Sequence, residues 1–159
     1  MDNYVVKWPL TKGKFATLDI DDLNKVACYK WQARFSKGNW YAIHSTLEGE
    51  VTMHGLLMGS KPDCEVDHIN QNGLDNRRVN LRFATKSENR ANVKKRTDNS
   101  SGFKGVSFNK RVAKWRAYIQ KDKKQIHLGF FDDKQKAAKA YNDAAKRLFG
   151  EFAWLNQIH

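Results

Sequence analysis

Between residues 114 and 120 apolar and polar side chains alternate. Trp115, Ala117 and Ile119 fall on one side, and Arg116, Tyr118 and Gln120 on the other. That period of two predicts a strand with one covered face. Segments at about 103–109 and 125–131 read as strands as well, separated from it by polar turns. Beyond residue 132 the period changes. Ala137, Ala138, Tyr141, Ala144, Ala145 and Leu148 recur at helical spacing, Asp132 with Gln135 forms a capping box, and Gly150 supplies a stop. Three antiparallel strands and one alanine-rich helix, able to lie close on the sheet, predict a small α+β domain.

The first half predicts shorter elements. Tyr4-Val5-Val6 and Phe15–Ile20 read as strands, as do Trp31–Phe35 and Trp40–Ile43 across the turn Ser36-Lys37-Gly38-Asn39. Asp22 is placed to cap a short helix over 22–29, and Met53–Met58 is apolar but too short to classify. Glu65–Ile69 predicts a strand running into the polar loop 70–79. Thr85-Lys86-Ser87-Glu88 then fits a capping box opening a helix over about 86–95. The polar run 96–102 is the one plausible linker, so the expected division is residues 1–96, a linker at 97–102, and residues 103–159. The five tryptophans read as core, Trp40 least clearly.

Charge adds a direction to this picture. The 159 residues carry 29 Lys+Arg against 17 Asp+Glu, a net +12, and the whole excess lies after residue 66. Residues 104–124 alone hold eight basic side chains and one acidic. A surface that merely keeps a protein in solution mixes its signs, so a nucleic-acid face is expected. No apolar run approaches the length that spans a bilayer, and the N-terminus lacks the order of a secretory signal. Cys28 and Cys64 are isolated, which excludes a CxxC zinc site and a disulfide framework. The expectation is a soluble intracellular protein without membrane or small-molecule partners.

The chemically suggestive residues are Asp67 and His68, then Asn80 and Asn89. Adjacent strand residues point to opposite faces, and a helix packed alongside would bring Asn89 beside Asp67. Oxygen ligands of that kind suit Mg²⁺ or Mn²⁺ better than zinc. Taken singly, each residue reads equally well as surface or turn chemistry.

The run Val66-Asp67-His68-Ile69-Asn70-Gln71-Asn72-Gly73-Leu74-Asp75-Asn76-Arg77-Arg78-Val79-Asn80-Leu81-Arg82, followed by Ser87-Glu88-Asn89, closely resembles the HNH endonuclease family, and more narrowly its phage and intron-encoded homing members. The resemblance implies a ββα-metal site. His68 would be the general base that activates water, Asp67 and Asn89 would hold one divalent cation, Mg²⁺ or Mn²⁺, and Asn80 would order the loop between the strands. Structural zinc is not expected. Arg77, Arg78, Arg82, Lys86 and Arg90 would hold flanking phosphates. His54 falls where many relatives have histidine and is given no role beyond structural support.

Phe103-Lys104-Gly105-Val106, Lys114–Ile119, His127-Leu128-Gly129-Phe130-Phe131, Ala137-Ala138, Ala140-Tyr141 and Gly150, continued by Ala153 and Asn156, resemble the Apetala-two/ethylene-response-factor DNA-binding domain. Its sheet enters the major groove. Matching positions put Lys104, Ser107, Asn109, Arg111, Arg116, Tyr118, Gln120 and His127 on the DNA side. Ser107 and Asn109 replace arginines that read guanine and His127 replaces a tryptophan, so the plant domain's base specificity does not carry over.

The resulting expectation is a divalent-metal homing endonuclease cutting duplex DNA, phage-encoded and acting in the bacterial cytoplasm. One site per chain favours a nick unless two copies pair, and monomer and dimer both stay open. The rivals are a DNA-binding regulator with a degenerate nuclease half, and an RNA binder, which would lack a stacking signature.

Overall fold

The computed structural model describes residues 4–95 and 99–158. The chain is a mixture of small antiparallel sheets and few helices, and it divides into two compact units, Met1–Thr85 and Lys86–His159.

In the first unit, β1 (Val5–Pro9) pairs with β2 (Phe15–Asp19), and β3 (Gln32–Ser36), β4 (Asn39–Thr46) and β5 (Gly49–Thr52) form a meander. The β3–β4 turn is the predicted one. Lys37 and Gly38 both have positive φ, +50° and +83°, the handedness that suits a two-residue hairpin loop. Between β2 and β3 the expected helix shrinks to a 3₁₀ turn and α1 (Leu23–Val26). Asp22 does not cap it: its carboxylate is taken by Lys25 at 2.8 Å and by the Arg78 guanidinium at 2.7 and 2.9 Å. A charge-assisted fork outcompetes a weak cap. The segment 53–58 is a helix, α2 (Met53–Met58), because the Thr52 hydroxyl accepts from the Gly55 N–H at 3.2 Å and opens it. A third pair joins β6 (Cys64–His68) to β7 (Leu81–Thr85). The core is Ala16, Leu18, Val26, Trp31, Ala42, Met53 and Leu57.

The second unit opens with α3 (Lys86–Asn92), shorter than expected. A three-stranded sheet follows, β8 (Val106–Asn109), β9 (Lys114–Lys121) and β10 (Lys124–Phe131), with β9 central. The helix α4 (Lys134–Phe149) covers one face. The alternation in β9 behaves as read, with Ala117 and Ile119 buried against Ala137, Ala138, Tyr141, Ala144 and Ala145. The start of α4 lies one residue later than expected: Asp133, not Asp132, accepts from the Gln135 and Lys136 N–H groups. Gly150, at φ +53°, ends it as predicted.

The expected linker is partly outside the described residues, at 96–98. Its remainder is a built turn. The Asn99 side chain accepts from Ser101 Oγ (2.8 Å) and the Gly102 N–H (2.9 Å) and donates to the Phe103 carbonyl (2.9 Å). Ser, Asn and Gly suit a linker and a hydrogen-bonded turn equally, and here they form the turn, with Ser101 buried. Among the described residues no helix is long and apolar enough to cross a membrane.

Candidate functional site

Asp67 and His68 end β6, 5% and 6% exposed. Successive strand residues face opposite ways, so both faces of the strand are covered at this point. Directly across the pair from Asp67 stands Arg82, whose Nε and Nη2 donate to Asp67 Oδ2 at 3.0 and 2.9 Å. The Arg82 side chain is 11% exposed, so this ion pair is largely withdrawn from water.

On the other face, His68 Nε2 lies 3.3 Å from Asn76 Oδ1. Its ring also meets His54 edge-to-face and packs beside Tyr41. Burial pushes the His68 imidazole below its ordinary range, while the Asn76 hydrogen bond and the Asp67 and Asp75 charges pull it back up. His54 is driven further, down to about 4, by burial and then by the charge of His68. Both rings are therefore neutral at pH 7, the state in which an imidazole accepts a proton.

The loop 70–80 that follows β6 is held by its own polar groups. Asn80 Oδ1 accepts from the Asn70 N–H at 2.9 Å, and Asn80 Nδ2 donates to the Asp75 carbonyl at 2.7 Å. Arg77 grips Asp75 through two nitrogens at 2.7 Å, which holds the Asp75 carboxyl below the usual range. Arg78 is bound by the N-terminal part of the unit: its N–H donates to Asp19 Oδ2 at 2.7 Å and its guanidinium to Asp22. Three arginines assigned to phosphates thus each carry a carboxylate partner of this chain.

Asn89, Lys86 and Arg90 lie on α3, in the second unit, with Lys86 and Arg90 exposed and Asn89 half-buried. The outer face of that unit's sheet brings together most of the other expected residues. Arg116 stands opposite Ser107, and Tyr118 opposite His127. The Arg116 guanidinium lies 5.0 Å from the Tyr118 ring centroid. Gln120 and Arg111 are exposed, and Asn109 Oδ1 accepts from the Arg111 N–H at 3.0 Å. Lys104 is elsewhere. Its ammonium donates to the carbonyls of Ala91 and Val93, both at 2.6 Å, and of Arg90 at 3.3 Å, closing the C-terminal end of α3. Burial lowers it to about 8, while the three carbonyls favour the charged form.

The sequence model of a family described as HNH endonuclease matches residues 58–91, which span β6, the loop, β7 and most of α3. A protein of Acanthamoeba polyphaga mimivirus, named an uncharacterized HNH endonuclease, is 33% identical over 153 residues, covering 92% of this chain and 77% of its own. The chain belongs to the HNH endonuclease family. Protein 3.8 of Escherichia phage T7 is 35% identical over 88 residues, 55% of this chain and 72% of its own. An AP2-like ethylene-responsive transcription factor of Arabidopsis thaliana is 40% identical over 59 residues, 37% of this chain and only 12% of that protein. No solved structure matches.

For an HNH endonuclease, the donor chemistry around Asp67 fits a hard divalent cation. The buried Asp67 carboxylate is a hard oxygen donor of the kind Mg²⁺ and Mn²⁺ take. Among the described residues no three His, Cys, Asp or Glu side chains gather into a metal cluster, so such a site would depend on Asp67 and non-acidic oxygens. Sequence reasoning assigned no role to Asn76, although it lies inside the family run beside Asp75 and Arg77. It also missed Phe130, an exposed aromatic beside His127 (4.8 Å between ring centroids) and opposite Arg116.

Proposed function

We propose that this HNH endonuclease is a metal-dependent homing enzyme that hydrolyses phosphodiester bonds of duplex DNA. The observation that supports this most is His68: a buried, neutral imidazole beside a carboxylate that Arg82 orients. His68 accepts the proton of the attacking water, and its lowered pKa keeps it basic in form at pH 7. Asp67, with Asn89 as the family resemblance implies, would hold the cation. A divalent cation held there would supply Lewis-acid chemistry, polarising the scissile phosphate and stabilising the departing 3′ oxygen. Asn80 orders the loop that carries the base. Lys86 and Arg90 contact flanking phosphates, and the sheet of the second unit, through Ser107, Asn109, Arg111, Arg116, Tyr118, Gln120 and His127, binds the duplex. Viral and phage relatives support a phage-encoded enzyme working on DNA in its host's cytoplasm.

Nicking of supercoiled plasmid with Mg²⁺ or Mn²⁺ tests this. Wild type should nick, chelation should stop it, and His68→Ala should lower the rate at saturating DNA by about 10²- to 10⁴-fold with duplex affinity unchanged. A wild-type protein that binds duplex DNA but leaves the plasmid intact with either metal would instead be a DNA-binding regulator.

A further inference from the structure

We propose that Asn76 is a positioning residue that sets the tautomer of His68, and that the N-terminal hairpin acts through it to buttress the base. Asn76 is 0% exposed, and its Oδ1 lies 3.3 Å from His68 Nε2. The orientation of this amide is fixed from its other end, where Nδ2 donates to the Leu74 carbonyl at 3.3 Å. Turning the amide over would set two oxygens face to face. The atom toward the imidazole is therefore an oxygen, which can only accept, so Nε2 carries the hydrogen. A neutral imidazole protonated at Nε2 has its lone pair on Nδ1, and Nδ1 is then the nitrogen that takes the proton from water. An orienting hydrogen bond on the far nitrogen serves the same end in catalytic triads.

Asn76 is itself held by the N-terminal segment. Its N–H donates to the Thr17 carbonyl at 2.7 Å, and the Thr17 N–H donates to the Leu74 carbonyl at 2.7 Å, forming an isolated parallel bridge between β2 and the loop. The opposite side of the loop is closed as well. A Cβ on Gly73 would come within 2.5 Å of the Trp40 carbonyl and 2.6 Å of the Tyr41 ring. The loop is thus trapped between β2 and β4. The N-terminal segment, which the family motif does not explain, thereby fixes Asn76 and, through it, the ring of His68.

The tautomer assignment stands on geometry alone, and its consequence for rate rests on the nuclease reading. Long-range ¹H–¹⁵N spectra of the full-length protein, labelled at histidine and recorded at neutral pH, read the His68 tautomer directly. Wild type should show a single Nε2–H form. Asn76→Ala should show an Nδ1–H population. In nicking assays Asn76→Ala should lose about 10- to 100-fold in rate at saturating DNA with unchanged duplex affinity. An Nδ1–H signal in wild type overturns the proposal without any variant. So does an Asn76→Ala protein with the wild-type spectrum and rate. A wild type that cuts no DNA removes the nuclease reading, and the spectra still decide the role of Asn76.

Discussion

The imidazoles of His54 and His68 meet edge-to-face, ring centroids 4.9 Å apart and planes at 86°. His54 Nδ1 is buried without a hydrogen-bond partner. The pair packs well only while both rings are neutral, because a proton on either places a charge in a desolvated site. For His54 the folded value is about 4, against 6.5 for the free side chain. Below pH 6.5 the unfolded chain takes up a proton that the folded chain refuses, so the first unit should lose stability as pH falls from about 6.5 towards 4. His54 alone should contribute about 3 kcal/mol to that loss. His54→Phe keeps an edge contact and removes the titration, and denaturant unfolding at several pH values should show a flatter acid slope. An unchanged slope would mean that other groups set the acid limit.

Arg82 and Asp67 give a second expectation. Removing one partner of an ion pair withdrawn from water is costly, so Arg82→Met should destabilise the first unit by about 3 kcal/mol. A cation bound at Asp67, as proposed, would offset part of that loss. The rise in melting temperature on adding Mg²⁺ should therefore be larger in the variant than in wild type. Equal rises would separate the cation from Asp67.

Lys104 and Arg116 should fail in different ways. Both were expected on the DNA side, but the Lys104 ammonium closes α3 while Arg116 lies on the open sheet face over Tyr118. Arg116→Ala should weaken duplex binding and reduce the salt slope of affinity by about one. Lys104→Met should leave the salt slope alone and lower the melting temperature of the second unit, since three carbonyls lose their donor. Salt titrations of gel shifts, with thermal melts of the same variants, separate the two effects.

The place of α3 bears on truncation. Ala91 belongs to the core around Ile119, Tyr141 and Phe149, and the Trp154 N–H donates to the Ala91 carbonyl at 3.2 Å. A fragment of residues 86–159 should melt cooperatively and bind duplex DNA, whereas one starting at residue 97 should melt lower. Equal melting of the two would show that α3 adds nothing to this core.

What the sequence made legible is what depends on near neighbours. Alternation in β9, helical spacing in α4, the Lys37-Gly38 turn and the Asp67–His68 pair all follow from local periodicity or a short motif. The rest depends on partners far along the chain. Asp22 reads as a helix cap until Arg78, 56 residues away, claims it. Lys104 reads as a phosphate ligand until α3 ends beside it. Asn76 looks like one more polar loop residue, because its burial comes from Thr17 and no local pattern announces that. Asn99 and Ser101 have linker composition, and only their mutual hydrogen bonds reveal a turn.

The division between Thr85 and Lys86 falls inside the stretch that the family model matches. On the proposed reading, Asp67 and His68 are completed early in synthesis, and Asn89 arrives with the unit that grips DNA. Domains form as they leave the ribosome, at about 5–20 residues per second. Until α3 folds with the rest of the second unit, the nascent chain would hold the base without its full set of proposed cation ligands. A chain released early by a nonsense codon or a protease would share that defect.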